Sequence, residues 1–315
     1  MAIADIEELC KGFCELAGAA PPALTRGADG TRAATIRMEG VDVAMQQFAD
    51  RYEDIVFLAA DLGEPPAGRE LEAWRLLMEA NLRMTGTSAP SFSRSPVTGR
   101  AVLHWPCPLM EATVTDFRRR VIALVEAARQ WREDHFLDDS TRAHAWFLRD
   151  RDARTLPLEA FDADLRRFDE LVAAACSPEG PPRTALGPAG RTRHFDFDCD
   201  GERTRVVQSV DADPGCLFIL ASLGPSDASA ALEECAALME LGFHLATGNT
   251  AARIGREAAG DPSLVCAFTL AGASPARLHA ACRMAARIAL DWRRDSREAR
   301  ATALSNPLET ENHHA

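Results

Sequence analysis

The chain repeats itself at a constant spacing. Four sequence features recur 161 residues further along the chain. They are FLAADLG at 57–63 with FILASLG at 218–224, Leu-Met-Glu at 77 and 238, Trp-Arg at 131 and 292, and a glycine at 40 and 201. One offset that holds over roughly ninety residues indicates an internal duplication, and each copy must then fold into a similar unit.

The duplication predicts the division of the chain. A length of 315 residues exceeds that of most single cores, which agrees with two units. We expect a first module, a polar linker, a second module that diverges from the first, and a flexible tail. Their boundaries are 1–134, 135–158, 159–298 and 299–315.

Both copies show the same order of elements, α-β-β-β-α-β-β-α. Helical spacing of apolar residues predicts first helices near 3–17 and 159–175, and second helices near 69–83 and 228–244. Alternating apolar residues around Glu39-Gly40 and Asp200-Gly201 predict a β-hairpin in each copy. The expected fold class is therefore α+β: two tandem modules, each a twisted, mainly antiparallel sheet packed with helices.

Nine cysteines are present, an odd number without the dense spacing of a disulfide framework. Cys10 and Cys14 share one face of the first helix, and Cys282 falls at a core position of the last helix. We therefore predict reduced, buried thiols.

Charge and motifs argue against several functions. The net charge of −12 disfavours binding to nucleic acid or to an anionic membrane surface. The acidic N-terminus lacks the features of a signal peptide, and no apolar stretch is long enough to span a membrane, so we expect a cytoplasmic protein. The sequence lacks a P-loop, G-x-G-x-x-G, G-x-S-x-G, H-E-x-x-H and C-x-x-C.

No catalytic residue, cofactor site or metal site is predicted. His135, Asp138, Asp139 and His144 form a cluster of ligand-type residues, but they lie in the linker, where a solvated charged segment explains them. The carboxylates are spread evenly along the chain, so they do not single out a catalytic pair. We interpret the chain as a binding protein, not an enzyme.

The first copy resembles the class I chaperones of type III secretion, the Tir-chaperone family. The resemblance rests on the order and spacing of five segments: FCELAGAAPP, RMEGVDVAM, DIVFLAADLGEPP, LLMEANLRMTGT and SPVTGRAVL. The second copy departs from this pattern, since Gly242 stands where the first has Asn81, and Glu202 replaces the valine after the hairpin glycine.

The resemblance implies a specific activity. Chaperones of this family hold the N-terminal segment of a secreted effector in an extended form until export, and they act as homodimers through the second helix and an adjacent strand. A fused duplication then implies an intramolecular pseudo-dimer that is monomeric as a chain. The implied partner is a secreted effector protein, with no cofactor.

Two surfaces are candidates for binding. The interface between the modules would be formed by the second helices, through Trp74, Leu77, Met78, Leu82, Leu238, Met239 and Phe243. Packing of these residues on their own sheet explains the same pattern. The client surface would be formed by Ile36, Met38, Val43 and Met45 together with the first helix. Ordinary core beneath that helix is the alternative for these four residues.

A second function is compatible with the same fold. The chain could be a regulatory adaptor of the secretion system that binds a cytosolic partner, sequestering a transcription factor or docking on the export ATPase. A bound polypeptide that is later exported distinguishes the chaperone from the adaptor.

Overall fold

The chain forms two compact units, each built from two separate stretches of sequence. The first contains Met1–Pro157 and Ser226–Ala258, and the second contains Leu158–Pro225 and Ala259–Ala315. The computed structural model describes residues 5–18, 20–48, 52–84, 86, 88–110, 112–137, 158–176, 183–187, 190–199, 201–209, 213–225, 231–248, 252–257 and 260–305. The first unit thus combines the first repeat with a helix and a strand of the second.

The described elements follow the repeat. Those of the first copy are α1 (Ile6–Ala17), β1 (Thr25–Arg26), β2 (Arg32–Met38), β3 (Val41–Phe48), β4 (Tyr52–Gly63), α2 (Glu70–Arg83), β5 (Ser91–Arg94), β6 (Ala101–Pro108) and α3 (Val114–Asp134). Those of the second are α4 (Leu158–Cys176), β7 (Arg183–Gly187), β8 (Gly190–Cys199), β9 (Glu202–Ser209), β10 (Asp213–Ser222), α5 (Ala231–Gly248), β11 (Ala252–Arg256), β12 (Pro262–Thr269) and α6 (Pro275–Ser305). Strands β3 and β9, and strands β6 and β12, begin and end 161 residues apart, which confirms the duplication.

Helix α1 begins and ends at residues suited to those positions. The Asp5 side chain accepts hydrogen bonds from the backbone N–H groups of Glu7 and Glu8, each at 3.0 Å, as an N-cap residue does. The bond from Glu8 is the main reason why the pKa of Asp5 lies below its usual value. Gly18 ends the helix in the left-handed conformation with φ 64°, which glycine adopts without strain.

The first sheet is antiparallel, with the order β1-β2-β3-β4-β6-β5. Its predicted hairpin is confirmed: Met38 pairs with Val41, and Glu39 and Gly40 have φ 50° and 77°. Two successive positive φ angles are the requirement of a type I′ turn, whose twist matches that of the flanking strands. Helices α1 and α3 pack on one face of the sheet. Between them the rings of Phe13 and Phe117 pack edge-on, with their centroids 5.6 Å apart.

In the second unit, strands β7-β8-β9-β10-β12 pair in the order of their counterparts in the first sheet. The cross-strand ion pair Arg37–Asp42 of the first hairpin corresponds by the offset to Asp198 and Arg203, with the charges exchanged. Glu202, which the sequence showed in place of a core valine, is buried and ion-paired with Arg293. A buried carboxylate is tolerated where such a partner is supplied.

Several expectations needed correction. Each copy has one more strand than predicted, β1 and β7, since these short strands lack an apolar alternation. Helix α5 ends at Gly248 rather than near His244. Helix α6 continues to Ser305, past Ala299, because no helix breaker precedes Pro307.

Candidate functional site

Helix α2 packs against α5 and β11, and α5 packs in turn against β5. We call these four elements the pairing surface; all of them belong to the first compact unit. Each second helix therefore contacts the edge strand of the other repeat. Both also contact the corresponding strand of their own repeat, so packing on the own sheet and pairing with the other repeat occur together.

The residues nominated for this interface are buried to different degrees. Five are almost or completely inaccessible to solvent: Trp74, Leu77, Met78, Leu238 and Met239. Leu82 and Phe243 are half-buried. The Phe243 ring lies edge-on to the ring of His104 on β6, with the centroids 5.0 Å apart. The role of this set as the contact between the repeats stays a prediction; hydrogen bonds and an ion pair, described next, join the two repeats directly.

Asn81 joins the two repeats at the centre of the pairing surface. Its amide nitrogen donates to the carbonyl oxygens of Phe92 on β5 and Ile254 on β11, both at 2.9 Å. Its amide oxygen accepts from the Phe92 backbone N–H at 2.7 Å. The side chain is completely buried. A buried amide that loses a hydrogen-bond partner destabilises the protein by its full desolvation free energy, so these three bonds hold the Asn81 side chain in one orientation.

Arg253 makes the second polar connection. It lies on β11 with only 2% of its surface exposed. Its Nε donates to the carbonyl oxygen of Asn81 at 2.9 Å, and a terminal nitrogen donates to that of Met84. Both carbonyls lie at the C-terminal end of α2, where a helix leaves carbonyls without partners and carries a partial negative charge. Arg253 therefore acts as a C-cap supplied by the other repeat.

Arg94 and Glu240 form a partly exposed ion pair between β5 and α5. Arg94 Nε also donates to the carbonyl oxygen of Gly99, which fixes the turn between β5 and β6. In the second repeat the position of Arg94 is taken by Gly255, so the ion pair has no counterpart there. The first and the second repeat thus contribute different charges and different hydrogen bonds to the pairing surface.

Burial keeps His104 neutral beneath Phe243. The imidazole Nε2 lies 2.8 Å from Ser93 Oγ, and desolvation lowers the pKa of His104 to about 4. The reference pKa of an unfolded histidine is about 6.5.

The free energy of unfolding should therefore fall as the pH drops from about 6.5 to about 4, since in this window the unfolded chain binds a proton that the folded chain excludes. The full shift corresponds to a loss of about 3 kcal/mol at pH 4. Urea titrations at a series of pH values measure this free energy of unfolding. As the pH decreases, it should fall more steeply for the wild type than for His104→Val, and only below about pH 6.5. Parallel pH profiles for the two proteins would refute this role of His104.

The four nominated client residues face the interior of the first unit. Val43 and Met45 are fully buried, Ile36 is nearly so and Met38 is half-buried. Met45 Sδ lies 3.9 Å from Cys10 Sγ on α1. The structure therefore buries most of this row in the core of the first unit, with Met45 against α1 and the end of the hairpin against α3, and its role in client binding stays a prediction.

An accessible surface lies at the outer edge of the same sheet. Strand β1 pairs with β2 only at Arg32 and Ala33, and no described strand pairs with the remainder of β2 on that side. The Thr25 hydroxyl donates to the Ala33 carbonyl at 3.1 Å, so the Ala33 backbone points outward. Because strand orientation alternates with a period of two, the backbone groups of Thr35 and Arg37 point to this open edge as well.

A groove of about 710 Å³ lies beside the pairing surface, between the N-terminal half of α2 and Arg256. Its lining combines Arg75 and Arg256 with Glu72, Glu79 and several leucines. Cys235 is buried close to both arginines, and desolvation raises the pKa of its thiol, so this cysteine is protonated near neutral pH. Eight cysteines, all except Cys176, have described side chains; these eight are buried, and none of them forms a disulfide bond.

The cluster of ligand-type residues noted in the sequence is described only at His135. Within the described residues, no group of three or more His, Cys, Asp or Glu side chains is arranged to hold a metal ion. His135 packs against Trp131, whereas Asp138, Asp139 and His144 lie outside the described residues. Among the helices that the structure describes, none is both long and apolar enough to cross a membrane.

The sequence analysis did not nominate Asn81, Arg253 or His104. His104 lies in the apolar strand β6, and Asn81 continues the apolar stripe of α2 formed by Trp74, Leu77 and Met78; a polar residue at such a position is the signal that could have identified them. Arg253 is the clearest example, because the first repeat has Phe92 at the equivalent position. An arginine that replaces a core aromatic residue requires a buried acceptor nearby.

Comparison with known proteins supports the resemblance noted in the sequence. Residues 27–132 match the Tir chaperone protein (CesT) family, which confirms the resemblance for the first repeat. No curated protein matches the chain.

Solved structures similar to this chain include three complexes. The ExsC–ExsE complex shares 19% identity, covering 41% of this chain and 96% of the other, with a TM-score of 0.30. The Yersinia pestis type III secretion chaperone SycH with a fragment of YscM2 shares 12% identity, covering 39% and 97%, with a TM-score of 0.31. The HopA1–SchA chaperone–effector complex shares 21% identity, covering 40% and 91%, with a TM-score of 0.29.

Proposed function

We propose that the chain is a type III secretion chaperone that binds the N-terminal segment of a secreted effector in extended form and keeps it competent for export. The observation that carries the proposal is the family match over residues 27–132. The pairing surface supports it, since one polypeptide supplies both second helices of a chaperone-like pair. The proposed site of action is the cytoplasm.

The open edge of β2 offers a physical route for holding an extended chain. A polypeptide that adds a strand to a sheet edge gains main-chain hydrogen bonds, and its alternate side chains contact the surfaces on either side. Such binding is tolerant of client sequence, because the ladder involves only backbone groups. The net charge of −12 favours encounter with a basic or mixed client segment.

Thr35→Pro tests this route. The outward N–H of Thr35 is lost and the ring obstructs an added strand, whereas the β2–β3 ladder is kept, because proline is tolerated at a sheet edge. We expect client retention to fall roughly tenfold, which corresponds to about 1.4 kcal/mol. Thr35→Ala is the matched control and should retain the client normally.

The assay is affinity capture of the full-length chain from its native host, followed by identification of the bound polypeptide and of the fragment that it protects from protease. A protected N-terminal segment of a protein that is exported to the medium supports the chaperone. An exclusively cytosolic partner would replace this proposal with the regulatory adaptor. Unchanged retention by Thr35→Pro would reject the edge route and leave the chaperone function standing.

A further inference from the structure

The end of α2 and the equivalent region of α5 differ in the pairing surface. Helix α2 ends at Arg83, which corresponds to His244, whereas α5 continues four residues further to Gly248. The carbonyl of Asn81 therefore lies in the last turn of α2. The carbonyl of its counterpart Gly242 lies inside α5, where the regular i+4 hydrogen bond of an α-helix satisfies it.

The residues opposite these two helix ends differ in the complementary way. Arg253 faces the short helix and donates to the carbonyls of Asn81 and Met84. The equivalent residue opposite the longer helix is Phe92, which has no side-chain donor. Thus the helix that lacks its last turn meets a cation with several N–H groups, whereas the strand opposite the longer helix has a phenylalanine at the equivalent position and supplies no such donor.

We infer that the pairing surface is built for one partner, the other repeat of the chain, and that it disfavours pairing of either repeat with a second copy of itself. The geometry of Arg253 carries this inference, which does not depend on client binding. The surface formed by α2 and β5 selects a partner strand that has an arginine at the position of Arg253.

Pairing of like with like would leave buried polar groups unsatisfied. Two copies of the first repeat would place Phe92 against the carbonyls at the end of α2 that Arg253 normally bonds. Neither copy would then supply a side-chain donor to them. Two copies of the second repeat would place Arg253 against the interior of α5, where the carbonyls are already used, and would bury two guanidinium groups without these acceptors. Specificity commonly depends on such penalties against the wrong partner.

The covalent linkage hides this preference, because it holds the two repeats at a high effective concentration. The test therefore uses the full-length chain with a protease site inserted in the linker between residues 138 and 157. After cleavage of the folded protein, native mass spectrometry gives the composition of the complexes. For the wild type we expect the one-to-one complex of the two pieces and no self-paired species.

Arg253→Met should weaken the one-to-one complex about a hundredfold, as truncating one partner of a buried charged hydrogen bond does. Arg203→Met removes an exposed cation from β9, in the second unit and outside the pairing surface, and should leave the complex intact. Arg253→Lys keeps the charge with a single donor group and should lie between the two. It also provides a usable measurement if Arg253→Met does not fold.

Two results would overturn the inference. One is a wild-type mixture in which self-paired and mixed complexes appear in statistical proportion. The other is a set of Arg253 variants with the dissociation constant of the wild-type complex.

Discussion

Replacing Asn81 with alanine is expected to lower the free energy of unfolding of the first unit by about 3–5 kcal/mol. The change leaves the N–H and C=O of Phe92 and the C=O of Ile254 without the amide that bonds them. These groups lie in the buried centre of the pairing surface, where water does not replace the lost bonds. Chemical denaturation followed by circular dichroism measures the effect.

The duplication provides a matched control for this variant. Gly242 occupies the equivalent position on α5, and a Cβ added there would meet its nearest neighbour, Ile254 Cγ1, at an ordinary contact distance of 3.6 Å. Because alanine is the better helix former, Gly242→Ala should be neutral or should stabilise the protein by up to about 1 kcal/mol. Equal effects of the two variants would show that Asn81 is not the junction described here.

Replacing Trp131 with alanine should cost the first unit about 3–5 kcal/mol, the usual range for removing a fully buried large aromatic side chain. The side chain is completely buried, and its Nε1 donates to the Glu64 carbonyl at 3.1 Å. Its ring also packs near the rings of His135 and Phe136, at 5.1 Å and 5.8 Å between centroids.

Trp292, the counterpart of Trp131 in the second unit, is the matched control. It is only half-buried, so Trp292→Ala should cost roughly half as much. Hydrogen exchange resolved along the sequence can assign each loss to its own unit, because partly independent units open separately. Trp131→Ala should accelerate exchange in β4 and α3. If it left these elements as protected as in the wild type, the assigned role of Trp131 would be wrong.

The sequence was informative where a local rule determines the structure. The hairpin at Glu39-Gly40 followed from turn chemistry, and helix α2, expected near 69–83 and found at Glu70–Arg83, followed from helical periodicity. The repeat extended these results to the second copy, where single elements are less clear. Strands β1 and β7 were missed, since a short edge strand has little apolar pattern to detect.

The candidate site was harder to predict, because its geometry depends on contacts between distant segments. Periodicity showed that Ile36, Val43 and Met45 share one face of the hairpin, but it could not show how completely this face is buried in the core of the first unit. The contact between Arg253 and α2 joins residues about 170 positions apart. Only the comparison with Phe92 at the equivalent position points to it from the sequence.

The first compact unit is completed by residues that are synthesised late. Its last segment, Ser226–Ala258, follows Pro157 after the whole of Leu158–Pro225 has been made. At a translation rate of about 5–20 residues per second, roughly 3–14 s separate the synthesis of these two parts. During this interval α5 has not been synthesised, so the apolar side of α2 lacks its packing partner on the nascent chain. The first unit can therefore be completed only after Ser226–Ala258 has been made.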